Sequence, residues 1–139
     1  MACPTSLART ITDHNRYRSG LEREVARQLR LAGCAFGYES EVIPYLKPAK
    51  TAKYNPDFII TKRDGSKMYI EAKGRFLTAD RQKHLLIRDQ YPGIDIRLLF
   101  QNANNKIGKT SNTTYAKWCE SKGIKYADKS KLPKEWTQE

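Results

Sequence analysis

Long apolar stretches are missing from this sequence of 139 residues. No segment approaches the roughly 18 consecutive apolar residues that a membrane-spanning helix needs. Residues 1–12 also lack the continuous apolar region of a secretion signal. With 39% hydrophobic and 29% charged residues, the composition is typical of one soluble, folded domain. We therefore expect no membrane contact and a cytoplasmic location.

Cysteine and histidine are also scarce. The three cysteines, Cys3, Cys34 and Cys119, form no Cys-x-x-Cys pair, and the two histidines, His14 and His84, are far apart in the sequence. This pattern argues against both a disulfide scaffold and a structural zinc site. We expect three reduced thiols, of which Cys34 and Cys119 serve in packing.

Acidic residues are few relative to basic ones. Fifteen Asp and Glu residues stand against 26 Lys and Arg residues, which gives a formal net charge of +11. Such an excess favours a polyanionic partner, because each phosphate that the protein neutralises releases condensed counterions. We expect the partner to be a nucleic acid. The alternative is that the chain itself is merely a soluble basic protein, such as a ribosomal component. Charge alone separates neither DNA from RNA nor an enzyme from a binding protein.

Hydrophobic periodicity predicts a series of helices and strands after a flexible arm at residues 1–15. A helix begins after Ser19, has Glu22 at the capping-box position and ends at Gly33. The other predicted elements are strands at 35–43, 57–61, 67–73, 94–100 and 124–126, and helices at 79–90 and 114–122. This order predicts the α/β class, with a mixed central β-sheet flanked by helices, in a single domain over residues 16–139.

Residues 44–56 differ in character from the predicted elements on either side. They are bounded by prolines, carry three lysines and have little apolar content. We expect an extended connector between two parts of the domain and not a core element. An ordinary surface loop is the alternative.

The residues best suited to chemistry lie on a predicted hairpin. Glu71 and Lys73 are two apart on a strand and therefore share one face, and the hairpin can bring Asp57 beside Glu71. Carboxylate and carbonyl oxygens are the ligands that Mg²⁺ prefers, so Asp57, Glu71 and the main-chain carbonyl of Ala72 predict a site for one or two ions. Lys73 would orient or deprotonate the attacking water, or stabilise a charged phosphate. The alternative is an exposed strand face with a weak ion pair.

Basic side chains recur on several predicted surfaces. They form cationic faces on the helices and are spread through residues 44–56 and the segment after the hairpin. Such residues hold phosphates and position a protein on DNA, and the alternative is a solvated charged surface. The candidate DNA-binding residues are Arg18, Arg23, Arg27, Lys47, Lys50, Lys53, Arg75, Arg81, Lys83, His84 and Arg88.

Five short blocks follow one another along the chain. They are residues 17–22 (YRSGLE), 54–58 (YNPDF), 71–74 (EAKG), 80–88 (DRQKHLLIR) and a C-terminal run at 119–129. Together they resemble the endonuclease I family of the T-odd bacteriophages, and the likeness covers about residues 15–137. The Pro-Asp…Glu-x-Lys pattern within it is similar to the signature of the restriction-endonuclease-like nuclease superfamily.

This resemblance implies an activity and an assembly. Members of such a family would be endodeoxyribonucleases that resolve Holliday junctions and other branched DNA with Mg²⁺ or Mn²⁺, in the cytoplasm of a phage host. They would have a restriction-endonuclease-like core and form an intertwined homodimer that exchanges elements through residues 44–56. The resemblance makes Glu22 a catalytic acid and metal ligand beside Asp57 and Glu71, with Lys73 as the catalytic lysine. From the residues alone, Glu22 is better explained as a capping-box acid.

The sequence departs from the family pattern in two places. The family has an acid where this chain has Gly37, and Glu39 is either its substitute or, as its strand position favours, a solvated charge. The hairpin between Asp57 and Glu71 is also longer. Two other functions stay open, namely a related nuclease that acts on linear or damaged duplex and a non-catalytic nucleic-acid-binding protein.

Overall fold

The computed structural model describes residues 16–47 and 50–139, so the arm predicted at residues 1–15 lies outside the described residues. None of the helices described is both long and apolar enough to cross a membrane. In chain order the elements are α1 (Gly20–Leu31), β1 (Phe36–Tyr38), β2 (Ile43–Lys47), β3 (Lys50–Tyr54), β4 (Phe58–Thr61), β5 (Lys67–Lys73), α2 (Thr78–Gln90), β6 (Ile96–Phe100), α3 (Tyr115–Lys122), β7 (Tyr126–Ala127) and α4 (Lys134–Thr137).

Five of the strands form one central sheet, in the order β1-β4-β5-β6-β7. The pairs β1·β4 and β4·β5 are antiparallel, whereas β5·β6 and β6·β7 are parallel. Helix α2 makes the crossover between the parallel strands β5 and β6, a connection that parallel pairing requires. The predicted mixed sheet flanked by helices in the α/β class is therefore confirmed.

The β4–β5 hairpin forms where the sequence predicts it. Its turn contains Gly65 at a φ of 88°, a left-handed conformation that glycine adopts without steric cost. The Asp64 carboxylate accepts a hydrogen bond from the Ser66 amide at 2.9 Å and so fixes the turn. The register pairs Phe58 with Ile70, and both side chains are fully buried.

Helix α1 has the predicted termini. The Ser19 hydroxyl accepts a hydrogen bond from the Glu22 amide at 3.1 Å, and Gly33 has a φ of 72° just after the last turn. One face of the helix is buried against the first half of the sheet, because the apolar residues recur at helical spacing. The buried residues of this cluster include Val25, Ala26, Leu29, Phe58, Ile60, Met68, Ile70 and Trp136.

Residues 44–56 do not form the coreless extended connector that the sequence predicts. Strands β2 and β3 pair as an antiparallel hairpin, with Ile43 opposite Tyr54 and Lys47 opposite Lys50. Ile43, Tyr45 and Tyr54 are buried in a cluster with Ile87 and Ile96. The expectation fails because a few apolar residues are enough to form a buried face when they alternate onto one side of a hairpin and that side packs against a helix.

Side chains at the end of α2 and at the residue after it cover the open edge of β2. The Gln90 side-chain amide accepts from the Leu46 amide at 2.6 Å and donates to the Leu46 carbonyl at 2.5 Å. The Tyr91 hydroxyl donates to the carbonyl of Pro44. Proline has no backbone N–H to donate to a neighbouring strand. It is therefore tolerated at an edge strand, where no such hydrogen bond is needed. The hairpin is thus held on α2 by polar contacts as well as by its apolar face.

Candidate active site

The hairpin brings Asp57, Glu71 and Lys73 together at one end of the sheet. Asp57 lies one residue before β4, so it is opposite Glu71 in the continued register of the hairpin. Its Oδ2 atom accepts a hydrogen bond from the amide of Ala72 at 2.9 Å. The Lys73 Nζ atom lies 3.6 Å from Glu71 Oε1. Glu71 is only 6% exposed, so this cluster is not the exposed strand face that was the alternative.

The two carboxylates are electrostatically unfavourable as they stand. Burial, together with the charge of Glu71, raises the pKa of Asp57 to about 8, although the Ala72 amide acts in the opposite direction. Burial also raises the pKa of Glu71, and the ammonium groups of Lys73 and Lys83 offset part of this increase. Each carboxylate disfavours the ionised form of the other, and a positive group beside them relieves this repulsion. Their oxygens are the donor type that a hard divalent cation takes.

Lys73 is held between two acids. Its ammonium group lies 3.1 Å from Asp80 Oδ1 as well as beside Glu71. Burial favours the neutral amine, but these two carboxylates outweigh it and raise the pKa of Lys73. Asp80 also accepts from the Leu77 amide at 3.1 Å at the start of α2. Sequence reasoning missed Asp80, although an acid in the first turn of a helix is a recognisable capping signal.

Glu71 has a second partner that sequence reasoning also missed. The Tyr54 hydroxyl, at the end of β3, donates to Glu71 Oε2 at 3.0 Å. Tyr54 is 1% exposed, and the Lys83 ammonium lies 5.3 Å from the centre of its ring. The tyrosine precedes Asp57 by only three residues, but its contact with Glu71 depends on the β2–β3 hairpin that the sequence did not reveal.

Glu22 reaches the same site from α1. Its Oε1 atom accepts from the Ser19 hydroxyl at 3.1 Å, and its Oε2 atom accepts from the Tyr38 hydroxyl. The carboxylate is thus turned to two side-chain donors. One carboxylate oxygen of Glu22 also lies within 4.8 Å of an oxygen of Asp57 and one of Glu39.

Glu39 belongs to this cluster, although its sequence position favours a solvated charge. Its carboxylate lies 2.9 Å from Arg18 Nε and beside Glu22 and Asp57. Its φ of 49° is unusual for a residue other than glycine, and its amide donates to the carbonyl of Asp57 at 3.1 Å. The three acids together offer oxygen ligands for a metal ion. The main-chain carbonyl of Ala72 stays a predicted ligand.

Gly37 is explained by the same turn of the chain. A Cβ atom at this position would lie 2.1 Å from the Ser40 Oγ atom and 3.1 Å from its Cβ atom, so Ser40 would have to change rotamer and shift slightly to admit a side chain here. The structure places the carboxylate two residues after the position where the family resemblance expects it.

The structure excludes two predicted DNA-binding residues from the surface. His84 is fully buried between Tyr54 and Phe76, and burial lowers its pKa to about 3, so it is uncharged at neutral pH. Arg81 is 9% exposed and donates to the Phe76 carbonyl at 2.7 Å and to the Thr78 hydroxyl at 2.9 Å. Helical spacing is right for a cationic face, but this face of α2 is turned towards the protein.

The remaining candidates are placed in three ways. Arg27 is exposed, and its guanidinium donates two hydrogen bonds to the Glu24 carboxylate, at 2.8 and 2.5 Å. Arg88 is half-buried, and its guanidinium donates to the carbonyl of Ile96. The side chain of Lys50 lies outside the described residues. The candidates that are exposed or half-exposed, and so accessible to DNA, are Arg18, Arg23, Arg27, Lys47, Lys53, Arg75 and Lys83.

Comparison with known proteins gives consistent results. The family model for phage endonuclease I matches residues 1–139. Endonuclease I of Escherichia phage T7 is 44% identical over 123 residues, which cover 88% of this chain and 79% of that protein. Endodeoxyribonuclease 1 of Enterobacteria phage T3 is 45% identical over 118 residues, which cover 85% of this chain and 75% of that protein. The chain therefore belongs to the phage endonuclease I family.

Proposed function

We propose that this protein is a structure-selective endodeoxyribonuclease that resolves Holliday junctions and other branched DNA by metal-dependent hydrolysis of phosphodiester bonds. The names of the two relatives, an endonuclease and an endodeoxyribonuclease, support a DNA substrate. The observation that carries the proposal is the partly buried Asp57, just before β4, opposite the buried Glu71 on β5 and near the ammonium group of Lys73. A purely structural ion pair between Glu71 and Lys73 has no need of a second carboxylate opposite the first.

The acids of the site would hold Mg²⁺, for which Mn²⁺ would substitute. Asp57, Glu71 and Glu22 would supply carboxylate oxygens, and Glu39, which lies with Glu22 and Asp57, would be a further ligand. An all-oxygen ligand set fits these hard cations, and the cation would relieve the repulsion between the buried carboxylates. When bound, such an ion lowers the pKa of a coordinated water and offsets charge on the phosphoryl oxygens. One or two ions per site, with the Ala72 carbonyl as another ligand, belong to the proposal.

Lys73 would act as a cation. Its raised pKa keeps the ammonium group protonated beside Glu71 and Asp80, which favours charge stabilisation or water orientation over a role as general base. A protonated Nζ can donate to a phosphoryl oxygen that gains charge during the reaction. Asp80, 3.1 Å from the same Nζ atom, would help to hold this charge in place.

Selection of branched DNA would rest on shape. The accessible basic side chains, among them Arg75, Lys53 and Lys83, would contact phosphates, and phosphate contacts position DNA without reading its sequence. Discrimination between branched and linear DNA would then come from the geometry of the backbone. The site of action would be the cytoplasm of the phage host.

The active assembly would be a homodimer, since two sites are needed for paired cuts across a junction. The β2–β3 hairpin is where two chains would exchange elements. Residues 16–47 of one chain would pack on residues 50–139 of the other, with the same contacts that form here within one chain. Each site would then combine Glu22 from one chain with Asp57, Glu71 and Lys73 from the other.

A cleavage assay tests the function. Purified protein is mixed with an end-labelled four-way junction or a linear duplex of matching sequence, in Mg²⁺ and in chelator. We expect symmetric, metal-dependent cuts near the branch point and little cutting of the linear duplex. Equal cutting of both substrates would favour a nuclease for linear or damaged duplex. Tight binding without cleavage in Mg²⁺ or Mn²⁺ would favour a non-catalytic binding protein.

Complementation tests the exchange of elements. Glu22→Ala and Asp57→Ala chains are unfolded together, refolded as a mixture and compared with each variant refolded alone. Exchange places both wild-type halves in one site of each mixed dimer, and random mixing then restores about one quarter of the wild-type sites. If the mixture stays as inactive as the separate variants, each site lies within one chain.

A further inference from the structure

The β2–β3 hairpin delivers one side chain into the acidic site. Tyr54 is the last residue of β3, is 1% exposed and donates its hydroxyl to Glu71 Oε2 at 3.0 Å. The other carboxylate oxygen, Oε1, faces Lys73 Nζ at 3.6 Å. Glu71 therefore has a hydrogen-bond donor on Oε2 and an ammonium group near Oε1, and these two partners come from separate parts of the fold.

We propose that Tyr54 is a positioning residue that fixes the Glu71 carboxylate in the orientation required for metal binding and catalysis. This inference rests on the proposed function, because it assigns Tyr54 a part in the same site. Tyr54 would not contact the reacting phosphate. It would act through Glu71 by occupying Oε2, which leaves Oε1 directed at Lys73 and the centre of the site.

The hydroxyl and the ring of Tyr54 have separate roles in this arrangement. The ring is placed by α2, with the Lys83 ammonium 5.3 Å from its centre and the His84 ring 5.5 Å away at an edge-to-face angle of 77°. His84 makes an apolar contact there, since neither of its ring nitrogens has a hydrogen-bond partner among the described residues. The contacts of the ring thus fix the position of the Tyr54 hydroxyl, and the hydroxyl in turn orients the Glu71 carboxylate.

Burial makes the hydroxyl contact important. When a carboxylate oxygen that is shielded from water loses its hydrogen-bond donor, its desolvation cost is no longer offset. The side chain then rotates towards another donor. Donors that orient metal-binding side chains typically change metal affinity or activity about 10- to 100-fold when they are removed. The contact of Tyr54 with Glu71 is of this kind, because 94% of Glu71 is shielded from solvent.

The test compares two tyrosines of one hairpin. Tyr54→Phe removes only the hydroxyl and keeps the ring packing, whereas Tyr45→Phe removes a hydroxyl from the same hairpin and outside the acidic site. Mn²⁺ binding is measured by calorimetry without DNA, junction binding in chelator, and kcat and KM with a labelled junction. For Tyr54→Phe we expect Mn²⁺ affinity and kcat each to fall about tenfold or more. Junction binding should stay within about twofold, and Tyr45→Phe should match the wild type.

Two further measurements keep the outcome decisive. Thermal melting in chelator establishes that Tyr54→Phe is folded, and 3-fluorotyrosine at position 54, which retains the donor, should restore Mn²⁺ affinity and kcat. Wild-type Mn²⁺ affinity and kcat in a folded Tyr54→Phe protein would overturn the role of Tyr54. If the wild type itself neither binds Mn²⁺ nor cuts the junction, the proposed function fails instead, so the two failures are distinguishable.

Discussion

The two sides of the acidic site differ in how firmly they are held. On one side Glu71 is 6% exposed and is fixed by Tyr54, Lys73 and the strand that carries it. On the other side Glu39 is partly exposed and paired with Arg18, whose side chain is 76% exposed. The buried side has its geometry set by the fold. The open side can change partners when a cation or a DNA phosphate approaches, because surface ion pairs are worth little.

The largest expected effect comes from removing the fixed acid. Glu71→Ala should lower cleavage of a four-way junction by roughly a thousandfold or more, because it takes away a ligand and breaks the catalytic unit. Junction binding in chelator should persist, since the phosphate-binding side chains are untouched. Single-turnover cleavage and a gel-shift titration measure the two quantities. Near-normal turnover of the variant would show that the buried side is not the catalytic site.

The second effect concerns the ammonium group on the same side. Lys73→Met should lower kcat by about 100- to 1000-fold, the range for removing one charge-stabilising donor, and should change KM little. The matched control is Lys67→Met on the same strand, where the lysine is exposed and pairs with Glu41 at 2.9 Å. The control should cleave like the wild type. Equal losses in both variants would mean that only the general positive charge of β5 matters.

A smaller effect is expected on the open side. Glu39→Gln keeps the size of the side chain and removes its charge, and we expect cleavage to fall roughly tenfold at limiting Mg²⁺ and less at saturating Mg²⁺. Glu41→Gln, two residues away and paired with Lys67, is the control. A Mg²⁺ titration of the cleavage rate reports both. If Glu39→Gln has an unchanged Mg²⁺ dependence, Glu39 is the solvated charge that its strand position predicts.

The smallest effect is on stability, and it isolates the buried acids. The pKa of Asp57 is about 8, against an ordinary value of 3.8, so the folded state binds more protons than the unfolded chain between these values. The free energy of unfolding must therefore fall as the pH rises through this interval. His84, with its pKa lowered to about 3, has the opposite effect, but only below its ordinary value of 6.5. The window from pH 6.5 to 8 therefore reports the carboxylates.

Melting temperatures in chelator measure this effect. Between pH 6.5 and 8 we expect the wild type to lose about 3 °C or more, the shift that ~1 kcal/mol produces in a domain of this size. Asp57→Asn should have a much flatter profile, and Mg²⁺ should restore part of the stability of the wild type at pH 8. An equally steep profile in Asp57→Asn would assign the pH dependence to other groups.

The parts of the site that the sequence predicted are those set by local geometry. Asp57, Glu71 and Lys73 lie on one hairpin, and a two-residue strand period with a glycine turn is enough to bring them together. The same holds for α1, whose cap and apolar spacing are contained within residues 19–33. The mixed sheet also followed from the order of the elements.

The parts that the sequence did not predict depend on contacts between distant segments. Tyr54 and Tyr45 are buried because the β2–β3 hairpin packs against α2. The spacing of residues 44–56 does not indicate a contact with that helix. Periodicity correctly placed Arg81 and His84 on one face of α2, but it did not show that this face is turned towards the protein interior. Glu39 joins the acids through a left-handed backbone conformation, which strand alternation cannot anticipate.

The covering of β2 by Gln90 and Tyr91 has a consequence for how this chain behaves at high concentration. An uncovered strand edge is a template onto which another chain can add, and runs of such additions end in fibrous aggregates. Here the Leu46 amide and carbonyl are already bonded to one glutamine side chain, as a neighbouring strand would bond them. On this edge of the hairpin, the groups at Leu46 and Pro44 that a foreign strand would bond are therefore already occupied, which disfavours the addition of another chain there.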